Sequence, residues 1–164
     1  MMSRMLKHIR DPVYLNRPSQ ILRRMRYVFR EPKDRERATL PWNGYLTVLG
    51  NEKNGRTILQ RGVKELTVTE ACFRLARPQS LAVDVGANVG HMTSALVHAM
   101  QSGRVLAYEP HPELYSILEE NAEYFEKEKP EIAVAVHEMA VGNAEGGTTL
   151  YVPENWKENV GQPP

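Results

Sequence analysis

Two glycines four residues apart mark the point where an apolar run gives way to a helical stripe: Leu81-Ala82-Val83-Asp84-Val85, then Gly86-Ala87-Asn88-Val89-Gly90. Five mostly apolar residues ending at a glycine turn read as a strand covered on both faces. Met92, Ala95, Leu96, Ala99 and Met100 then recur at helical spacing. The alternation repeats. Ser102-Gly103 reads as a turn, and Val105 to Tyr108 as a second strand. Pro112 opens a helix with Leu114, Ile117, Leu118, Ala122 and Phe125 on one face, and Ile132 to Val136 reads as a third strand. Strand, helix, strand, helix, strand with short links predicts right-handed crossovers and an α/β fold on a parallel sheet. After a turn at Asn143 to Gly147, Thr148 to Val152 is expected as an added antiparallel piece.

In such a sheet, ligands bind beside the loops at the carboxyl ends of the strands. Gly86 lets the backbone turn sharply, and Gly90 lets the next helix start close to a ligand. That helix start offers free amides to a carboxylate or phosphate. Glu109 follows Gly86 by 23 residues, at the end of the second strand. A carboxylate there can accept hydrogen bonds from both hydroxyls of a ribose, so the pair describes a nucleoside-cofactor site. The dinucleotide fingerprint needs a middle glycine for close approach to a pyrophosphate, and Asn88 stands in its place. A cofactor without a pyrophosphate suits this loop better. S-adenosylmethionine is one: its amino-acid end can bond to loop amides and its ribose to the acidic residue.

Other chemistry-bearing residues are assigned bland roles. Asp84 lies within an apolar strand, where a buried carboxylate needs partners. His91, in the first turn of its helix, reads as a packing or capping side chain rather than a base. His98, His111 and His137 lack metal-ligand spacing, and no metal is assigned. Trp42 and Trp156 read as packing aromatics. Cys72, the single cysteine, excludes an internal disulfide framework and reads as core filler rather than nucleophile.

Charge divides the chain. Residues 1–40 hold 11 Lys and Arg against 4 Asp and Glu, and the remainder holds 10 against 16. A basic arm is thus joined to an acidic body, and the acidic body argues against a nucleic-acid-binding core. Over 18–30, Ile21, Met25, Val28 and Phe29 form one helical face amid Arg23, Arg24, Arg26 and Arg30, with Pro18 in the first turn. This predicts an amphipathic helix that docks on the acidic body. Residues 31–44 read as a linker, Tyr45 to Leu49 as a short strand and Asn51 to Gly55 as a turn. Thr67 and Glu70 have capping-box spacing ahead of a helix to about Ala76, which turns Ala71 and Leu75, with Cys72 beside them, toward the core. With a mean hydropathy of −0.48, no apolar run approaches the roughly 18 residues of a membrane span. The basic first residues lead into no apolar secretory segment. A reducing, cytoplasmic setting is expected.

The stretches VDVGANVGHMTSAL, LAYEPHPELYSILEENAE and VHEMAVGNAEGGTTLYV, with Asn159-Val160-Gly161, together resemble the FkbM family of S-adenosylmethionine-dependent methyltransferases. The resemblance covers about residues 81–161. It implies a partial class I methyltransferase (Rossmann-like) parallel sheet with flanking helices, carried behind a basic helical N-terminal arm. It implies O-methylation of a hydroxyl on a small molecule or sugar. It also implies that Asp84, Gly86, Ala87, Asn88 and Gly90 line the methionine end of S-adenosyl-L-methionine. Glu109 would take the ribose, and Glu138 and Met139 would lie near the adenine. The family's sheet has seven strands with the first in the middle, and this chain supplies three of them. A domain truncated after its third strand is therefore expected, its first strand an open edge available for self-association, and no catalytic base is assigned. The organisation expected is an arm over 1–40, a lead-in strand and helix over 41–80, and the first half of a methyltransferase domain over 81–164. Two other functions compete. A nicotinamide-dependent oxidoreductase would want glycine at position 88, and a non-catalytic interaction module would pair its open edge with a partner.

Overall fold

The computed structural model describes residues 33–159 together with Arg23, Met25, Tyr27, Arg30 and Glu31. The rest of the amphipathic helix expected over 18–30 lies outside the described residues, as do Val160 and Gly161. Arg23, Met25 and Tyr27 are helical. Met25, expected on the apolar stripe, is 47% exposed. Among the described arm residues, the Arg23 guanidinium donates to the carbonyls of Leu59 (2.7 Å) and Thr39 (2.8 Å), and Tyr27 packs against the core. Leu59 lies in the last turn of a helix, where carbonyls lack intrahelical partners and a cation is favoured.

The first two elements form a hairpin. Strand β1 (Arg35–Thr39) pairs antiparallel with β2 (Tyr45–Leu49), from Arg35↔Leu49 to Thr39↔Tyr45. This corrects the linker expected over 31–44. Arg35 and Arg37 of β1 are exposed, with Arg35 bonded to Glu120 at 3.1 Å, whereas Glu36 lies on the side of Ala38 and pairs with Arg30 at 3.1 Å. Ala38 is buried and, from β2, so are Leu46 and Val48. Helix α1 (Lys53–Arg61) begins inside the expected turn. The carboxylate of Glu52 caps it, accepting the amides of Asn54 and Gly55 at 2.7 Å each. Ile58 and Leu59 are the buried apolar residues on its inner face.

Helix α2 (Leu66–Leu75) departs from its expected capping box. Glu65 occupies the N-cap in left-handed conformation, at φ 55°. Thr67 falls inside the helix, and Thr69 is the residue that turns inward, its hydroxyl bonded to the carbonyls of Lys64 and Glu65. Leu75 is 77% exposed, which overturns its expected burial, while Cys72 is partly buried. Burial raises the pKa of the Cys72 thiol, with the Asp84 charge acting in the same direction.

The parallel α/β unit follows as the alternation predicts: β3 (Gln79–Val85), α3 (His91–Ala99), β4 (Ser102–Tyr108), α4 (Pro112–Glu128) and β5 (Ile132–His137). Ser102 and Gly103, expected as a turn, begin β4. The sheet order is β3-β4-β5, all parallel. Alternation along the strands sends Val105, Ala107, Ile132 and Val134 to the face covered by the helices. There they join a core with Val97 of α3, Ile117 and Phe125 of α4 and the apolar side of the hairpin. The opposite face stays open among the described residues: Leu81, Val83 and Val85 of β3 are 62%, 53% and 59% exposed. This corrects the expectation that the first strand is covered on both sides. The strand expected over Thr148–Val152 does not form, and that segment is exposed without regular structure. A short helix, α5 (Trp156–Asn159), follows. Among the described residues no helix is long and apolar enough to cross a membrane.

Candidate functional site

Three strands ending on one side of a sheet bring their following loops together, and here those loops are tied to one another. Gly86 and Gly90 take left-handed values, φ 76° and 90°, which a Cβ disfavours. Asn88 adopts φ 54° between them, a conformation asparagine tolerates better than most residues. The loop therefore turns back over the strand ends. The carbonyl of Tyr108, the last residue of β4, accepts the amides of both Gly86 and Ala87 at 2.9 Å.

Glu109 is the junction. One carboxylate oxygen accepts the Asn88 amide at 2.8 Å and the other accepts the His111 amide at 2.9 Å. The glycine loop and the acidic residue, 21 positions apart in sequence, thus meet directly. A carboxylate has about four lone-pair sites, so each oxygen of Glu109 keeps one for a further donor although the residue is 94% buried. The Glu109 amide donates to the His137 carbonyl at 3.0 Å, which seats the end of β5 beside it. Glu138 and Met139 follow at once, both exposed on this edge. Tyr108 and His137 stack, ring centroids 4.8 Å apart.

Asp84 sits lower, in β3. Burial raises its pKa, opposed by the hydroxyl and amide of Thr93, and the Thr93 hydroxyl donates to it at 2.6 Å. The partner a buried carboxylate requires is thus the first turn of α3. His91 turns toward Trp42, with ring centroids 5.6 Å apart. Both its ring nitrogens are buried without a hydrogen-bond partner among the described residues. Burial above all, with Lys64 contributing, lowers its pKa from 6.5 to about 4. The enclosed ring, its pKa lowered, packs against Trp42.

The loop amides differ from their expected role as free donors. Gly86 and Ala87 bond to Tyr108, Asn88 to Glu109, Val89 to the Asn88 side chain at 2.9 Å and Gly90 to the Ala87 carbonyl at 2.8 Å. All five are satisfied inside the protein. Helical bonding of α3 begins with Ser94 donating to Gly90, and the Thr93 amide serves Asp84, so the donors left for a ligand are the other first-turn amides of α3, those of His91 and Met92. Open space remains at the loop itself: Gly86 is exposed, and none of the described residues lies within 4 Å of where its Cβ would stand. Such space beside a carboxylate with spare acceptor capacity fits a nucleoside carrying a vicinal diol.

Sequence reasoning missed Thr93 and the Tyr108 carbonyl, which carry no residue-type signature. It also missed Asn121. That asparagine sits among Leu118, Ala122 and Phe125 on the apolar stripe of α4, and it is 98% buried. A polar residue on a core stripe is a signal the sequence does offer.

The sequence around these residues has relatives. Residues 84–163 match the family model for the Methyltransferase FkbM domain. The match covers just under half of the chain, its C-terminal part. The matched stretch holds every loop and strand end just described, whereas the hairpin, α1 and α2 precede it. Three solved structures are similar in part. The precorrin-6y C5,15-methyltransferase of Geobacter metallireducens is 18% identical over 46% of this chain and 40% of its own, with a TM-score of 0.36. The YcgJ protein of Bacillus subtilis is 18% identical over 43% of this chain and 30% of its own, with a TM-score of 0.34. A Pyrococcus horikoshii protein assigned as a transferase is 16% identical over 63% of this chain and 36% of its own, with a TM-score of 0.44. The chain thus spans less than half the length of each. None of the curated proteins matches the chain. Among the described residues no group of three or more His, Cys, Asp or Glu is placed to hold a metal ion.

Proposed function

We propose that this chain binds S-adenosyl-L-methionine at the carboxyl edge of β3, β4 and β5 and serves methyl transfer to a hydroxyl of a small molecule or sugar. The observation that carries the reading is the 2.8 Å bond from the Asn88 amide to Glu109, because it joins the two motifs that a nucleoside cofactor would need in one place. Glu109 accepts the ribose hydroxyls on its remaining lone pairs. Glu138 and Met139 flank the adenine. Gly86, Ala87, Asn88 and Gly90 shape the space for the methionine end, and Asp84 with the first turn of α3 lies beneath it. Because the loop amides are already bonded, the cofactor's carboxylate is taken by the first-turn amides of α3. When bound, the sulfonium supplies an activated methyl group. The protein's share is to hold donor and acceptor in line. The acceptor's class rests on the family resemblance. The low-pKa, enclosed His91 is not its base. A reducing, cytoplasmic setting suits the lone, partly buried Cys72.

Calorimetric titration with S-adenosylhomocysteine and its 2′-deoxy analogue tests the reading. Loss of charge-assisted bonds to the ribose costs about 1.5–3 kcal/mol. The 2′-deoxy analogue should therefore bind wild type about 10- to 150-fold more weakly, and the two ligands should bind Glu109→Ala alike. Wild type that binds neither ligand, or fails to distinguish them, overturns it.

One observation favours a second reading, an interaction module that self-associates through its sheet edge. β3 has a single strand partner among the described strands, and its Leu81, Val83 and Val85 carry no charge that would blunt the edge. Sedimentation across a concentration series decides it. Val83→Lys should abolish any self-association seen in wild type, and a wild type that stays monomeric ends this reading.

A further inference from the structure

The glycine loop is held from behind by a side chain outside the cofactor motifs. Asn121, midway along α4, is 2% exposed. Its Oδ1 accepts the main-chain amide of Thr47 at 2.8 Å, and its Nδ2 donates to the Thr47 carbonyl at 2.9 Å and to the Val89 carbonyl at 2.8 Å. Thr47 lies in the middle of β2. The carboxamide thus pairs with Thr47 as a neighbouring strand residue would, and its second N–H reaches the loop. The Val89 carbonyl belongs to the peptide that also carries the Gly90 amide, which donates to Ala87. That peptide plane is pinned at both ends, with Gly90 itself and Asn88 one residue before Val89 in left-handed conformation.

We propose that Asn121 is a positioning residue of the cofactor site, which locks the Val89–Gly90 peptide to strand β2 and so makes the hairpin part of the site's machinery. The proposal rests on the reading of the loop as a cofactor site. The groups to be satisfied are one N–H and two carbonyls. An uncharged carboxamide offers one acceptor and two donors in that arrangement. Aspartate would face two carbonyls with a charge and no donor, and leucine would fill the space while leaving all three groups unpaired.

The test compares Asn121→Leu with Ile58→Val, a core change in α1 whose side chain belongs to neither loop nor hairpin. Two readouts are taken at matched stability: hydrogen exchange of the peptide spanning Gly86 to Gly90, and affinity for S-adenosylhomocysteine. Asn121→Leu should speed exchange of that peptide at least tenfold and weaken binding at least tenfold, and Ile58→Val should change neither. The exchange readout needs no ligand. If wild type fails to bind but the loop still loosens selectively, the cofactor reading falls and the positioning role stands. Should Asn121→Leu fail to fold, Asn121→Ser is measured in the same way. Unchanged loop exchange in a folded variant overturns the proposal. So does failure of both variants to fold, because Asn121 would then act on global stability and not on the loop.

Discussion

The two faces of the three-stranded sheet are built from the same strands and differ in almost everything else. On one, Val105, Ala107, Ile132 and Val134 are sealed beneath α3 and α4, with Phe125 among the side chains at the centre of the core. On the other, Leu81, Val83 and Val85 stand more than half exposed. Both faces carry apolar residues in sequence, Val105, Ile132 and Val134 on one and Leu81, Val83 and Val85 on the other. Apolar character therefore marks which surfaces are to be covered, and only the helices that are present decide which of them is covered here. The carboxyl edge, where the loops tie to one another, belongs to neither face. It is ordered by hydrogen bonds more than by burial of apolar area.

The contrast can be broken by substitution. The largest effect is expected on the sealed side: Phe125→Ala should destabilise by about 3–5 kcal/mol in denaturant unfolding. A loss below about 1 kcal/mol would mean that the face is not packed as described.

Next comes the pH response of His91, beside the sealed face. Its pKa is lowered in the folded protein, so the unfolded chain binds the extra proton first. Its contribution is fully present above about pH 6.5 and lost as pH falls toward 4. The full shift corresponds to roughly 3 kcal/mol. The raised pKa values of Asp84 and Glu52 act in the opposite sense, so the measurement must be a difference. Between pH 7 and 4.5, wild type should lose more stability than His91→Gln, and parallel pH profiles would refute the assignment.

A smaller effect is expected at the edge. Gly90 sits at φ 90°, and a Cβ there would come within 2.9 Å of Leu118 Cδ1. Gly90→Ala should cost about 1–3 kcal/mol, read as a lower unfolding midpoint. Gly86 has no such neighbour, so Gly86→Ala should cost less and would sharpen the comparison between the two glycines. The smallest effect belongs to the open face, where Val83→Thr should shift monomer stability by no more than about 0.5 kcal/mol. A larger loss would show that something covers the strand in solution.

The parallel unit was legible because its apolar runs and stripes have the periods of strand and helix, and the meeting of the glycine loop with Glu109 followed from the topology. The hairpin was not legible. β1 reads Arg-Glu-Arg-Ala-Thr, and its inward residue Ala38 gives no alternating signal, so its charges suggested a linker. Helix α1 was hidden by Asn54-Gly55, which composition assigns to a turn. The structure needs that glycine because the Leu49 main chain packs directly against it. The capping box at Thr67 failed because Glu65 takes the left-handed conformation and caps the helix two residues early. At the candidate site, residue types indicated which side chains gather but not that main-chain carbonyls and Glu109 would consume the loop amides. That depends on how far the loop folds back, a tertiary property.

Arg23 has a practical consequence. One guanidinium gathers the ends of two elements, the last residue of β1 and the closing turn of α1, although it lies 16 and 36 positions from them. A shortened version that starts after residue 30 would remove this clasp and leave those carbonyls to water. Any effort to trim the basic arm for crystallisation or expression should therefore cut ahead of Arg23 rather than behind it.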